Sequence, residues 1–373
     1  MWFAFATVTV ALAWDCPEGT VQTGEAWPDG VSVGCLDDSG IRQGPWTEWF
    51  DTGAKRSEGS YGDGLKTGLW RTFFASGVPE SEGTYLDDKR HGEWTWWNEN
   101  GQKWFVGQYT VARSTGAWTY WHPNGELESQ GSFVNGVKYG PWKVWHDNGQ
   151  LAGEGRYVAG VRDGTWVLYR EDGTKERSGV YRSGREIGVW TTFAPDGSVH
   201  RESPFVGGQL SGVEKIWDGK ILVSETEWDG GVQSGTERVY WPNGKLRSES
   251  TYVDNRREGT AVQYSETGVL IAREEWQGGV KHGMFQGYHP DGTPKYEGRM
   301  EFGVESGLWT TWYPNGSKFA EGNYVEGKSD GPWTTWWENG RVRLSGSYRM
   351  GQRVGTWTVR AENGALSYED HGP

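Results

Sequence analysis

A glycine followed two residues later by an aromatic ring, or by what replaces one, returns along most of this chain with a period of 24 residues. The register runs Gly44, Gly68, Gly92, Gly116, Gly140, Gly164, Gly188 and Gly212, slips by one residue to Gly235, and resumes at Gly259, Gly283, Gly307, Gly331 and Gly355. Fourteen starts in one register exclude a fold built around a single central core. A short unit repeated in this way buries its apolar face mainly against its neighbours.

One unit shows the pattern: Gly92-Glu93-Trp94-Thr95-Trp96-Trp97, then Asn100-Gly101, then Gly107-Gln108-Tyr109. Aromatic-rich runs between Gly, Asn and Asp predict strands, and Asn-Gly or Asp-Gly between two runs predicts a hairpin. That dipeptide recurs at Asn124, Asn148, Asp172, Asp196, Asn243, Asp291, Asn315, Asn339 and Asn363. In Pro123-Asn124-Gly125 the proline presets its φ and the glycine takes the left-handed position. No stretch has helical periodicity with caps. The expected fold is all-β: an elongated repeat protein of about fourteen consecutive 24-residue antiparallel hairpins in a twisted meander or solenoid. At ~4.8 Å per strand it would be roughly 130 Å long.

Composition says what the core is made of. Leu, Ile, Val and Phe together make only 63 of 373 residues, while Trp makes 26 and Gly 59. So few aliphatics signal either disorder or a core of rings, and a net charge of −13 is modest for disorder. In Trp46-Thr47-Glu48-Trp49 the two indoles are three apart, which sends them to opposite faces of a strand. Both faces should then carry an aromatic row. In Gly59-Ser60-Tyr61 the glycine reads as a seat for a ring from the neighbouring strand. The second-face rings Trp49, Trp97, Trp121, Trp145, Trp312 and Trp336 are the candidate ligand-facing aromatics. A mean hydropathy of −0.75 excludes a multi-span membrane protein. The acidic balance argues against nucleic acid and against anionic membrane as partners.

Residues 2–13 are uncharged and end in Ala11-Leu12-Ala13, the small-x-small pattern of a cleavage site. That run is too short to span a bilayer as a helix. It predicts export, with a mature chain starting at Trp14. Cys16 and Cys35, an even pair in an exported chain, predict a disulfide worth on the order of 3 kcal/mol. The organisation expected is a signal peptide at 1–13, a disulfide-closed cap at 14–43, regular repeats at 44–211, degenerate repeats at 212–306, and regular repeats with a tail at 307–373.

The pattern G-x-W-x-x-W…N-G…G-x-Y between Gly44 and Gly364 resembles the MORN repeat in its bacterial variant form. The resemblance implies an elongated antiparallel β scaffold or binding surface without catalysis, with lipid or protein partners and an antitoxin-like label in some members. The chain departs from the pattern in the middle. The first ring of the unit becomes Glu214, Glu237, Ala261 and Phe285, and the turn at Asp218-Gly219 is short. Glu214, Glu237 and the acidic run Glu225, Glu227 and Asp229 are expected to put carboxylates where rings sit elsewhere, which makes this segment either a bend or a patch for a cationic partner.

No catalytic, metal or cofactor-binding residues are expected. Gly30-Val31-Ser32-Val33-Gly34 matches G-x-S-x-G but abuts Cys35, with no helix signal after it. His122, His146 and His289 share one pre-turn slot, and His91 and His282 each precede a repeat glycine, so they follow the repeat. The functional expectation is an exported, non-catalytic scaffold that binds a protein partner with a basic patch in the cell envelope. The alternatives are a module that binds envelope polysaccharide or lipid through exposed Trp and Tyr rows, and an antitoxin-like binding partner. The oligomeric state stays open.

Overall fold

The computed structural model describes residues 15–372, so the leader at 1–13 and the cleavage before Trp14 lie outside the described residues. Among these residues there are thirty-one strands and no helix. Twenty-eight strands are the paired arms of the fourteen repeats. The other three are Thr20–Glu25 and Ser32–Asp37 in the cap and the two-residue Gln209–Leu210. The chain forms two compact units, Met1–Arg185 and Glu186–Pro373. Within each, successive repeat strands pair antiparallel, with Gln209–Leu210 and Gly212–Asp218 both pairing with Val199–Val206, which is the repeat meander the sequence predicts.

Two kinds of turn make this meander. Inside a repeat, Gly125 N–H donates to His122 O at 2.9 Å and His122 N–H to Glu126 O at 2.8 Å. Gly125 has φ +93°, so Pro123 and Asn124 form the turn and the glycine relaxes the strand after it. Between repeats the link is a two-residue turn with both φ positive, as at Asn135 (+51°) and Gly136 (+85°). The second link residue donates its N–H to the carbonyl of the previous repeat: Gly136 to Ser114 at 2.8 Å, and Asn255 to Gln233 at 2.9 Å in the second unit. The turns are therefore tied to their neighbours as well as to their own strands.

The core is a spine of rings along one face. In the first unit Trp46, Tyr61, Trp70, Tyr85 and Trp94 follow one another edge to face, with centroids 4.9–6.2 Å apart. Each first ring is nearly sealed: Trp142 and Trp166 are 1 % exposed. The glycine seats exist as expected, since a Cβ on Gly59 would stand 2.2 Å from the Trp70 indole. A cation caps the spine where the sequence offers one, with Lys66 Nζ 4.2 Å from the Trp70 ring and Lys138 Nζ 4.2 Å from Trp142. The Cys16–Cys35 disulfide closes the cap, with Cα atoms 5.7 Å apart and Cys35 fully buried.

Candidate binding cleft

The second unit keeps this spine only in part. Four successive first rings are replaced by Glu214, Glu237, Ala261 and Phe285. The residues that seat them are Ser203, Thr226, Ser250 and Glu274, where every other repeat has glycine. Pairing confirms the equivalence: Thr226 lies between Glu214 and Glu237, and Glu274 between Ala261 and Phe285. When Gly298 restores the seat, Trp309 restores the ring, with its indole 2.0 Å from where a Cβ would be. Seat and ring change together. A lost indole over a glycine would leave a larger void, and an indole retained over a side chain would clash.

The substituted pairs differ among themselves. Ser203 Oγ donates to Glu214 Oε1 at 2.7 Å, and Arg201 Nη1 is 3.8 Å from the same oxygen, so this carboxylate fills the ring slot with its Oε1 engaged. Glu274 sits 3.7 Å from Lys281 Nζ, whose ammonium lies 4.8 Å from the Phe285 ring. At Ala261 nothing fills the slot. A cleft of about 440 Å³ opens there on the spine face of the strands Val232–Tyr240, Leu246–Val253 and Arg256–Tyr264. Glu237, Ser250 and Arg257 line it, together with Gln263, which pairs with Ser248, and with Trp241, Arg247 and Tyr264. Val239, Ala261 and Ile271 supply apolar surface. Glu237 is already occupied: Tyr252 Oη donates to its Oε2 at 3.2 Å and Gln233 Nε2 to its Oε1 at 3.4 Å.

The acidic run lies on the other face. Thr226 pairs with Glu214 and Glu237 and shares their face, so its neighbours Glu225 and Glu227 point away from the ring slots. Only Glu214 and Glu237 put carboxylates where rings sit elsewhere. Glu225 accepts from Tyr240 Oη at 2.7 Å and lies 3.5 Å from Lys215 Nζ. Burial and the Glu225 carboxylate push the Tyr240 phenol up to about 12. Glu227 accepts the Thr236 backbone N–H at 3.0 Å, and Asp229 is exposed.

The second-face rings Trp49, Trp97, Trp121, Trp145, Trp312 and Trp336 are all half-buried. Lys103 Nζ lies 5.9 Å from the Trp121 ring and Lys318 Nζ 5.6 Å from Trp336. The structure does not bring these six rings together. The pre-turn histidines are ties between repeats: His122 Nε2–H donates to Trp145 O at 3.0 Å, His146 to Tyr169 O at 2.9 Å and His289 to Trp312 O at 3.2 Å. Trp241 and Trp337 take the same slot and make the same bond through Nε1, both at 3.0 Å. Gly34 of the G-x-S-x-G match is the seat of Trp46, and no helix follows it. The cleft went unseen in the sequence, although the residue eleven positions before each first ring carried the signal at Ser203, Thr226, Ser250 and Glu274.

The family model for the MORN repeat variant matches residues 66–87, 90–110, 114–135, 138–159, 233–254 and 305–326. One match, 233–254, falls within the span expected to be degenerate. No curated protein matches the chain. Among solved structures it is similar to the one titled TcdB2-TccC3, at 11 % identity over 92 % of this chain and 26 % of that one, with a TM-score of 0.17. It is likewise similar to TcdB2-TccC3-Cdc42, at 12 % identity over 91 % and 28 %, with a TM-score of 0.17. The chain spans about a quarter of the length of these solved chains, and a TM-score so low carries no argument. Six units match the family model and the starting glycines recur through the units between them, so the chain is a MORN-repeat protein of the variant type.

Proposed function

We propose that this protein is a non-catalytic binding scaffold, exported to the cell envelope, that holds a protein partner against the repeats of 212–306. The observation that carries the reading is the joint exchange of four rings and four seats. The exchange puts Glu214, Glu237 and Ala261 in place of three indoles and opens the aromatic row there, while Phe285 keeps a smaller ring. The disulfide between Cys16 and Cys35 supports an oxidising compartment. On the face opposite the cleft, Glu225, Glu227 and the exposed Asp229 favour a partner with a basic patch.

The test is capture from envelope extracts by the full chain and by a variant carrying Glu225→Gln, Glu227→Gln and Asp229→Asn. The amides keep acceptors for Tyr240 and Thr236 while removing the charge. The reading requires a discrete partner that the wild type retains, that salt weakens and that the variant loses. A partner held equally by both proteins would place recognition elsewhere.

A further inference from the structure

We propose that the cleft at Ala261 binds an acidic saccharide, one that carries a carboxylate beside its hydroxyl groups. This goes beyond the protein-scaffold reading, and its test is separate from that one, because the cleft residues lie on the opposite face from the acidic run.

Volume comes first. About 440 Å³ lies within the ordinary range for a small-ligand site, and a sugar unit or two fits it. Charge comes second. Arg247 and Arg257 both line the cleft, and among the described residues neither forms an ion pair, although Arg238 and Arg201 nearby do. The only carboxylate of the cleft, Glu237, already receives Tyr252 and Gln233. Two arginines against that one carboxylate leave the cleft net positive, in a protein whose net charge is −13. Two guanidinium groups free of carboxylates are suited to an anionic oxygen group.

The remaining chemistry selects a saccharide over a simple anion. Ser250 is 5 % exposed, lines the cleft and makes no side-chain hydrogen bond among the described residues. Ser248 and Gln263 also line it without such a bond. These groups face the cleft with donors and acceptors unspent, which suits a ligand rich in hydroxyls. At the hairpin-turn end the Trp241 indole offers apolar surface for the C–H face of a sugar ring, with Arg247 4.7 Å from it. An inorganic anion would use the two arginines and leave the indole and the hydroxyls idle.

The repeat itself supplies the control. The double variant Ser250→Gly, Ala261→Trp writes the regular seat and ring into the vacancy and fills the cleft with the packing used elsewhere. Titration calorimetry on the full chain, with trigalacturonate as the probe, should show binding to wild type, loss in the filled variant, and at least tenfold weakening in Arg257→Gln or Arg247→Gln. The filled variant should also unfold at a higher temperature than wild type, so that lost binding is not lost folding. Maltotriose should bind at least tenfold more weakly than trigalacturonate. Absence of trigalacturonate binding to wild type, undiminished binding to the filled variant, or equal affinity for maltotriose would each overturn the proposal. So would competition by orthophosphate at the same concentration as the saccharide, which would reduce the site to an anion site.

Discussion

A Cβ built on Gly131 would stand 2.2 Å from Cδ2 of Trp142, so the glycine is the floor on which the indole lies. The contact couples two repeat positions in a way that single substitutions and their combination can measure. Gly131→Ala forces the ring off its seat and should cost ~1–3 kcal/mol through overpacking. Trp142→Ala removes a ring that is 1 % exposed and should cost ~3–5 kcal/mol. The double variant should be no less stable than Trp142→Ala alone, because the methyl then has nothing to strike. Denaturant midpoints of the four proteins check this, and additive losses would refute the seat.

The link turns carry a local strain that is open to correction. Val111 and Ala112 occupy φ +48° and +67°, a region where an L residue with a Cβ costs roughly 1–2 kcal/mol. Other links put Asn and Gly at these two positions, as Asn135-Gly136 does. Replacing Val111-Ala112 by Asn-Gly should stabilise the protein by ~1–2 kcal/mol, offset in part by the greater freedom of glycine in the unfolded chain. The Ala112 N–H bond to Arg90 O, 2.9 Å long, survives the change. A thermal melt that moves down would show that the side chain of Val111 contributes packing beyond the turn.

Most of the fold was legible because its signals are local and repeated. Asn-Gly turns, seats such as Gly59 and rings such as Trp46 each carry a backbone or packing requirement that reads directly from residue type. The cations over the spine were not legible, because Lys66 and Arg90 look like ordinary strand-surface charges until the strand alternation places them over Trp70 and Trp94. In the sequence alone the acidic run falls in with the ring row, because its three carboxylates are close to Glu214 and Glu237. Register decides otherwise, since one residue of offset moves a side chain to the other face. The cleft escaped for a related reason. Ala261 is conspicuous only when paired with Ser250, and that pairing is a cross-strand relation.

Turn acidity offers a pH test. The Asp291 carboxyl is held below its usual range chiefly by the Thr293 hydroxyl, and also by the Thr293 N–H. Because the folded value lies below the unfolded one, this stability is complete above pH ~4. It is lost as the pH falls through the folded value. Asp291→Asn keeps the acceptor and adds an amide that can reach Pro314 O, as Asn315 Nδ2 reaches Glu338 O at 3.0 Å. The variant should melt no lower than wild type at pH 7 and lose less of its melting temperature between pH 5 and pH 2. An identical acid profile in the two proteins would show that the turn carboxylate does not contribute.

Glu227 and Glu275 take up backbone N–H groups at equivalent places. Glu227 accepts from Thr236 at 3.0 Å and Glu275 from Met284 at 2.8 Å. Each donor follows a repeat glycine with an unusually wide φ, +115° at Gly235 and +111° at Gly283, against +60° to +77° at Gly116 and Gly164. A Cβ on Gly235 would come within 2.0 Å of Glu227 Oε2, so the carboxylate occupies the space that glycine leaves. The bond and not the charge is what the backbone needs here. Glu227→Gln should therefore stay within ~0.5 kcal/mol of wild type. Glu227→Ala leaves the Thr236 N–H without its acceptor and should cost ~1–2 kcal/mol. Amide hydrogen exchange at Thr236 reads the same difference locally, with protection kept in the first variant and reduced in the second. Equal protection in both would mean that water replaces the carboxylate at no cost and that Glu227 is free to serve only as surface charge.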